Sequence, residues 1–423
     1  MGDKKYLTGF DHAFQMAMTH TPLLSEETIP IMDAVGRIVS RDIFARINAP
    51  SVNSSLKDGY AVISEDLKRA SMEHPVPLDL IGTIEAGSSR SYVVTRGKCV
   101  RILTGAPIPQ GSDAVLAGEF AKIDGNRVFG FADAHPSRNI MLEGTDVGKG
   151  ERLLREGSEI GPSVVSLLVA GGITEVPVRK KPRVGLLATG DEILLPGAEF
   201  KPGKLFASNM ALQEAWLKSR GFNTRFSLSG DTHQALSHEV EKLLEVSDAI
   251  VTSGGAWEGD RDLIVSVLEA LGWKKLFHHV RMGPGKAVGM GLIDGKPIFC
   301  LPGGPPSNEM AFLMIAYPAI CKMAGYGPYP FVRLCGELLS PVRGETAWTQ
   351  FLHCTVEKKG DHYLIQPIKL ASRLKSMADA KAILSIPEGV SAIDEGADVT
   401  VHLLDHAIMK TGESPASCKR LLM

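Results

Sequence analysis

The sequence has no long run of basic residues and no long apolar run. Lys and Arg number 46 against 48 Asp and Glu, which gives a formal net charge of −2. Nucleic-acid binding depends on clustered basic residues, so this balance gives no support for a nucleic-acid partner. No stretch approaches the ~18 consecutive apolar residues of a membrane helix. Residues 1–5 lack the apolar core of a secretory signal. We therefore expect a cytoplasmic protein without membrane association.

Cysteines at metal-ligand or redox spacing are also missing. The six cysteines are scattered, and no two of them form a Cys-x-x-Cys pair. Neither a zinc knuckle nor a thioredoxin-like redox motif is therefore indicated. We expect most of the cysteines to be small, buried apolar side chains.

Chain length and local pattern predict several domains. A chain of 423 residues is long for one hydrophobic core. Apolar residues at helical spacing predict a helix that starts near residue 10 and a second, short helix over residues 29–39. Short apolar runs between turn residues predict a β-rich domain at about 46–146. Another helix is expected before Gly171 and Gly172.

Residues 182–322 alternate predicted strands and helices. Apolar runs at 184–188, 249–252 and 298–301 are separated by helical segments. This order predicts a parallel, doubly wound α/β sheet with helices on both faces, whose ligands bind outside the carboxyl ends of the strands. From about 329 to 405 the pattern is again typical of β structure, with a hairpin around residues 358–361. Residues 406–423 are expected to form a mobile tail.

Three glycine-rich loops follow the predicted strands of the α/β domain, at residues 189–192, 253–262 and 301–307. Glycine lets the backbone approach a ligand closely, and helix starts offer N–H groups to anions. Each loop alone is better explained as a tight turn. Three loops in one sheet, however, indicate a site for a phosphorylated or otherwise anionic compound.

Charged side chains in these loops suggest a cation as well. Carboxylates beside an anion are unfavourable unless a cation joins them, and Mg²⁺ commonly joins carboxylates to phosphates. Helix caps and solvated turn residues are the alternative explanation. Lys286 is a candidate partner for phosphate or an oxyanion, or else a surface lysine. The carboxylates concerned are Asp191, Glu192, Glu258, Asp260 and Asp262.

Eight short motifs occur in a fixed order along the chain. The first three are Ser55-x-x-Asp58-Gly59-Tyr60-Ala61-Val62, Thr104-Gly105-Ala106-Pro107 and Gly144-x-Asp146. The others are Thr189-Gly190-Asp191-Glu192, Ser253-Gly254-Gly255, Gly259-Asp260-x-Asp262, Pro284-Gly285-Lys286 and Leu301-Pro302-Gly303-x-Pro305. Single motifs are unspecific. Together, from about residue 8 to 405, they resemble the molybdopterin molybdenumtransferase family, which includes the C-terminal domain of gephyrin.

The resemblance implies four structural parts. Residues 1–45 and 147–180 would form a discontinuous helical domain, and 46–146 an inserted β-rich domain. An α/β molybdopterin-binding domain over 181–327 and a C-terminal β-barrel-like domain over 328–405 would follow. Family members are elongated homodimers, with the active cleft between the α/β domain of one subunit and the β domain of the other.

The activity that the resemblance implies is insertion of molybdate, or tungstate, into adenylylated molybdopterin, with release of AMP and dependence on Mg²⁺. Asp58, Thr104 and Asp146 would face the cleft from the partner side. Glu192 and Asp262 would hold Mg²⁺ at the phosphate, and Lys286 would neutralise charge on phosphate or molybdate. Ser55 and Thr104 would donate hydrogen bonds to molybdate oxygens. The other implied site residues, on the α/β side, are Asp231, Gly254, Gly255, Trp257, Pro302, Gly303, Pro305 and Ser307.

The sequence departs from the family pattern within these motifs. Trp257 stands where a Ser is usual, and its ring would either stack on a pterin or block it. Lys57 replaces a Met and would compensate for a lysine that is missing at Gly283. The other departures are at Met141, Thr145, Ala287 and Gly304, with weak matches near Ser372 and Lys381.

Three functions therefore remain open. The first is the transferase. The second is a non-catalytic pterin-binding or scaffold protein, which the altered loops favour and the retained carboxylates oppose. The third is a molybdopterin adenylyltransferase, which resembles the α/β domain alone and is opposed by the multi-domain layout. Molybdate and tungstate share charge and nearly share size, so the sequence is compatible with either.

Overall fold

The computed structural model describes residues 7–132, 134–254, 263–369 and 372–404. The chain divides into two compact units. Residues 28–178 form the smaller unit, and residues 1–27 with 179–423 form the larger. Within the described ranges, no helix has both the length and the apolar character needed to cross a membrane. The predicted site residues Gly255, Trp257 and Asp262 lie outside the described residues, as do Glu258, Asp260 and the predicted tail.

The chain begins with strand β1 (Thr8–Gly9) and helix α1 (Phe10–His20), which confirms the first predicted helix. Ala13, Phe14 and Ala17 form its buried face. Ala13 and Ala17 belong to the core that residues 207–217 and 310–324 of the α/β domain share. The helix is therefore part of the larger unit; the helical domain of residues 1–45 and 147–180 was an implication of the family resemblance.

The smaller unit is mainly β structure, in agreement with the predicted inserted β domain, and its main sheet lies within residues 59–130. Six strands form this sheet in the order β8-β5-β7-β6-β10-β9. Leu78, Cys99 and Val128 are among the buried residues of its core. The elements are β2 (Glu26–Pro30), β3 (Ile43–Phe44), β4 (Ser54–Ser55), β5 (Gly59–Val62), β6 (Val76–Ile84), β7 (Lys98–Ile102), β8 (Ala114–Ala117), β9 (Ala121–Asp124), β10 (Arg127–Gly130), β11 (Ile140–Met141), β12 (Arg152–Leu154), α2 (Pro162–Ala170) and β13 (Glu175–Arg179).

The prediction of a helix over residues 29–39 is wrong. Residues 26–30 are extended, and Pro30, which has no N–H to donate, ends the strand. A single 3-10 turn (Ile31–Asp33) follows, and Gly36 then adopts a φ of 76°. The flanking segments pair as short strands, β12 with β3 and β13 with β2. Helix α2 ends at Ala170 and is capped by Gly171, as predicted, and it is the only α-helix of the smaller unit that the structure describes.

The α/β domain confirms the predicted doubly wound architecture, with a mixed rather than fully parallel sheet. Its sheet order is β17-β14-β18-β22-β21-β19. The first four strands are parallel, and α3 and α6 pack on one face while α4 and α5 pack on the other. The elements are β14 (Arg183–Thr189), β15 (Ile193–Leu194), β16 (Leu205–Phe206), α3 (Ser208–Ser219), β17 (Asn223–Ser229), α4 (His233–Val246), β18 (Ala249–Ser253), α5 (Leu263–Ala270), β19 (Lys274–His278), β20 (Val280–Gly283), β21 (Gly289–Ile293), β22 (Lys296–Leu301), α6 (Pro305–Ala311) and α7 (Tyr317–Met323).

The last two strands of this sheet, β21 and β19, are antiparallel, which the sequence did not predict. Strands β21 and β22 are joined by a two-residue turn at Asp294 and Gly295, both with positive φ. That turn geometry matches the twist of a tight antiparallel hairpin and leaves no length for a parallel crossover.

The C-terminal domain is a closed barrel, as predicted. Strands β25, β26, β23, β29 and β27 pair in a circle, since β27 returns to β25. Strand β20 of the α/β domain pairs with β25, and β1 pairs with β20, so both extend the barrel's sheet. The elements are β23 (Arg333–Leu338), β24 (Val342–Arg343), β25 (Thr349–Lys359), β26 (His362–Pro367), α8 (Arg373–Asp379), β27 (Ala382–Ile386), β28 (Ala392–Ile393) and β29 (Asp398–Leu403).

Candidate active site

The four parallel strands of the α/β sheet end at one edge, and the glycine-rich loops begin there. Thr189 pairs with Ser229, and Ser253 pairs with Leu301. Parallel pairing in this register brings the loops that follow the strands to the same edge. The structure thus places the predicted residues Glu192, Asp231, Gly254, Pro302 and Gly303 directly after β14, β17, β18 and β22.

Side-chain amides join the end of β18 to the loop after β22. The Asn308 side-chain amide donates to Ser253 Oγ at 3.0 Å and to the Pro302 carbonyl at 2.8 Å. The Asn209 amide donates to the same Ser253 hydroxyl at 3.1 Å and to the Gly303 carbonyl at 2.8 Å. Gln213 in turn donates to Asn308 Oδ1 at 2.8 Å. Because these bonds run from helices α3 and α6 to the end of β18 and to the loop after β22, they fix Ser253, Pro302 and Gly303 without a ligand.

Gly254 allows the two loops to approach. Its φ is 103°, and a Cβ at this position would stand 2.9 Å from Thr189 Oγ1 and 3.0 Å from the Thr189 carbonyl oxygen. The Cα of Gly254 in turn lies 3.7 Å from where a Cβ on Gly303 would stand. Glycine is therefore required here both for its conformation and for the space that a side chain would take.

Three exposed carboxylates lie at the ends of β14 and β17. The amide of Asp231 donates to Asp191 Oδ1 at 3.3 Å, and the amide of Asp191 donates to Asp231 Oδ2 at 3.4 Å. The Glu192 carboxylate bends back over Gly190, within 2.6 Å of where a Cβ would stand. Among the residues that the structure describes, no three His, Cys, Asp or Glu side chains gather as a complete metal site. Carboxylate oxygens do fit Mg²⁺, which commonly takes one or two carboxylates and completes its shell with substrate phosphates and water.

A cleft of about 570 Å³ opens beside the loop after β22. One wall is the turn that contains the cis Gly283–Pro284 bond and Lys286, and a second is formed by Pro302, Gly303, Gly304 and Ser307. The third wall comes from the barrel. Predicted residues Lys286, Pro302, Gly303 and Ser307 therefore share one cavity, and Pro305 is half-buried at the start of α6 beside it.

The barrel's wall of the cleft consists of Glu345, Trp348 and Gln350, which the sequence analysis did not single out. Asn209 and Asn308 were likewise not predicted as site residues. Nothing local marks these five residues, since their importance comes from partners far away in the chain. An aromatic residue just before a predicted strand was the one available signal, and it is equally typical of a core position.

In the smaller unit, Asp58 and Thr104 contact each other directly. The amide and the hydroxyl of Thr104 both donate to Asp58 Oδ1, at 2.7 and 2.8 Å. The backbone hydrogen bond, and next the hydroxyl bond, lower the pKa of the Asp58 carboxyl below its usual value, so it remains an anion at neutral pH. The Thr104 hydroxyl, which was predicted to donate to molybdate, donates to this carboxylate in the structure.

Ser55 lies next to this pair and is almost fully buried. Its hydroxyl donates to the Lys57 carbonyl at 2.6 Å, and its own carbonyl accepts from the amide of Gly105 at 2.8 Å. The side chain therefore stabilises the loop, and its bond to molybdate stays a prediction. Asp146 is exposed, and its amide donates to the Ala49 carbonyl.

Three family models match successive parts of the chain. The MoeA N-terminal region (domain I and II) matches residues 8–172. A probable molybdopterin binding domain matches 185–322, and the MoeA C-terminal region (domain IV) matches 336–404. These three matches follow one another without a long gap and together span residues 8–404.

Curated relatives and a solved structure are similar to this chain along nearly its full length. The molybdopterin molybdenumtransferase of Bacillus subtilis is 30% identical over 389 residues, covering 89% of this chain and 90% of the relative. That of Staphylococcus epidermidis is 29% identical over 382 residues, covering 89% and 91%. The crystal structure of the molybdopterin biosynthesis MoeA protein from Pyrococcus horikosii superposes with a TM-score of 0.83 at 32% identity, covering 94% of this chain and 99% of that one. The chain belongs to the molybdopterin molybdenumtransferase family.

Proposed function

We propose that the chain is a molybdenum cofactor biosynthesis enzyme, which inserts molybdate into adenylylated molybdopterin and releases AMP. Two relatives that carry the name molybdopterin molybdenumtransferase cover about nine tenths of this chain. The observation that carries the proposal is the cleft in which Lys286 lies opposite the loop of Pro302, Gly303 and Ser307. A lysine beside a glycine-rich strand-end loop suits a substrate that combines a ring with phosphate groups.

The strand-end loops would bind the pterin phosphate part of the substrate. Gly254 and Gly303 leave the backbone uncovered, and the network around Asn308 keeps it in place before substrate arrives. A site that is rigid beforehand loses less entropy on binding. Lys286 would neutralise negative charge that develops on the phosphate or on molybdate.

We further propose that Mg²⁺ is required. When bound, it would polarise a phosphoryl oxygen. Glu192 and Asp262 are the predicted ligands, and Asp191 and Asp231 supply further carboxylate oxygens at the same sheet edge. The roles of Asp58, Thr104 and Asp146 in the reaction stay predictions from the resemblance.

Lys286→Ala should lower AMP release about 100-fold, the typical effect of removing one electrostatic contact to a transition state. The assay follows AMP from adenylylated molybdopterin with Mg²⁺ and either molybdate or tungstate. The anion that supports the faster release identifies the metal. Lys359→Ala is the matched control, because Lys359 is exposed at the end of β25 in the β25–β26 hairpin and outside the cleft; it should stay within about twofold of wild type.

Three results would count against the proposal. Oxyanion-dependent AMP release that is unchanged in Lys286→Ala would remove this lysine from the reaction. Pterin binding without any AMP release by the wild-type chain would favour the non-catalytic binding protein. Formation of adenylylated molybdopterin from ATP would favour the adenylyltransferase.

We propose that the active form is a homodimer in which helix α2 is covered by a second copy of the chain. The helix carries no charged residue, yet Leu168 alone is buried in the single chain. Leu167 and Val169 are 37% and 51% exposed, and Ile47 lies beside the end of the helix at Gly172. A helix without charged residues that exposes large apolar side chains is normally covered by a partner.

Leu167→Glu combined with Val169→Glu should therefore give a monomer, because two carboxylates in a buried interface would each lack a partner. Light scattering after size-exclusion chromatography measures the mass. Met72→Glu is the control, since Met72 is 76% exposed on another part of the same unit. A dimer that persists in the double variant would place the interface elsewhere.

A further inference from the structure

Trp348 forms part of the cleft, although neither the sequence motifs nor the proposed reaction assign it a task. It is half-buried and directly precedes β25. Its amide donates to the Glu345 carbonyl at 2.8 Å, and the amide of Glu345 donates to Gln350 Oε1 at 3.0 Å. The indole is therefore carried on a short, closed turn, and it lines the cleft.

Lys286 is mounted in a comparable way on the opposite turn. The Lys286 carbonyl accepts from the amide of Val280 at 2.9 Å. Gly285, with a φ of 115°, packs so tightly that a Cβ would stand 2.9 Å from Met282 Cε. The backbone of Lys286 is thus fixed, while its side chain keeps the four flexible carbons of any lysine.

A single strand ladder joins the two turns. Gly283, at the start of the turn that contains Lys286, pairs with Gln350, which lies two residues after Trp348. In the resulting arrangement Lys286 Nζ lies 5.9 Å from the centroid of the Trp348 ring. This distance is within the range in which an ammonium group is attracted to the face of an indole.

Charged side chains are few among the described residues that line the cleft. Among the lining residues that the structure describes, Lys286 carries the only positive charge and Glu345 the only negative one. An anion that enters the cleft is attracted by Lys286 and repelled by Glu345. The position of Lys286 Nζ, and not only its presence, therefore decides how well an anion binds.

We propose that Trp348 is a positioning residue for Lys286: its indole face holds the ammonium group inside the cleft, ready for the anionic part of the substrate. The identity of that anion, molybdate or a phosphate, rests on the proposed function. The positioning itself does not, because it concerns any tetrahedral oxyanion that Lys286 binds. Glu345 then disfavours anions that bind away from Lys286.

The test is a double-mutant cycle on the full chain, with Kd for inorganic molybdate measured by calorimetry. Trp348→Leu keeps an apolar side chain but removes the ring, and should weaken binding about fivefold. Trp348→Phe retains a ring face and should stay within about twofold. In a Lys286→Met background Trp348→Leu should have no further effect, because the group that it positions is already gone. Phe120→Leu, an aromatic truncation outside the cleft, should leave Kd unchanged.

A purely structural role predicts a different pattern. Trp348→Leu would then weaken binding equally in the Lys286→Met background, or Trp348→Phe would be as harmful as Trp348→Leu; either result overturns the proposal. No molybdate binding by the wild-type chain, or binding unaffected by Trp348→Leu, also overturns it. If the cycle shows coupling while the wild-type chain releases no AMP, positioning stands and the proposed reaction fails. If AMP is released but the coupling is zero, the reaction stands and positioning fails.

Discussion

Replacing Glu309 by leucine is expected to lower the free energy of unfolding of the larger unit by about 3 kcal/mol. Glu309 of α6 and His353 of β25 are 5% and 3% exposed, and Glu309 Oε2 lies 2.6 Å from His353 Nε2. Removing one partner leaves a buried polar group without its hydrogen bond. The substitution therefore weakens the contact between α6 and the barrel strand β25, the elements that flank the cleft.

Chemical denaturation followed by tryptophan fluorescence measures this effect. All four tryptophans lie within residues 179–423, so the signal reports on the larger unit. The informative control is the double variant Glu309→Leu with His353→Leu, in which both polar groups are gone. It should recover more than half of the lost stability, since apolar replacement of a buried pair is often nearly neutral. A double variant no more stable than Glu309→Leu would show that packing, and not the hydrogen bond, determines the cost.

Gly254→Ala should be the most damaging small substitution at the site. The new Cβ would stand 3.0 Å from the backbone oxygen of Thr189, which has no rotamer to escape into, and φ would remain near 103°. We expect about 2 to 3 kcal/mol of lost stability, or else a displaced loop. Binding of molybdopterin, followed by fluorescence, should weaken at least about tenfold if the loop moves.

The matched control is Gly360→Ala in the β25–β26 hairpin. Gly360 also has a positive φ, of 60°, but a Cβ there would meet nothing within 4 Å. It should therefore cost only about 1 kcal/mol, from the backbone conformation. Equal losses of stability in both variants, with pterin binding intact in Gly254→Ala, would show that the close approach of the two loops has no functional importance.

The strand-end loops were predictable because their signals are local. A buried apolar run followed by Gly254 or by Gly303 predicts a strand that ends in a loop with closely packed backbone. The structure has the strands β18 and β22 at these places, and the two glycines lie close together. Helix α1, helix α2 and the β25–β26 hairpin were predictable for the same reason. The helix prediction for residues 29–39 failed because the apolar residues fit helical spacing, but Pro30 and Gly36 interrupt the segment. Pro30 ends a strand, and Gly36 has a positive φ.

The remaining features depend on contacts between distant segments. Glu309 and His353 are 44 residues apart, and Lys286 and Trp348 are 62 apart in number. No periodicity in either segment indicates the other. Pairing of β20 with the barrel was equally hidden, because a strand of four residues has a weak pattern of its own. The sequence therefore predicts a ligand site at the sheet edge, but not the residues that form the far wall of the cleft.

The ladder between β20 and β25 also has a consequence for modularity. A barrel that followed the α/β domain on a linker could be deleted or exchanged between proteins without harm to its neighbour. Here β20, and through it β1 at the start of the chain, belong to the same seven-stranded sheet as the barrel. A chain cut before β23 would leave Met282 and Gly283 as an unpaired strand edge, a template for aggregation. We therefore expect that the barrel cannot be exchanged between proteins without β1 and β20, the strands that pair with its sheet.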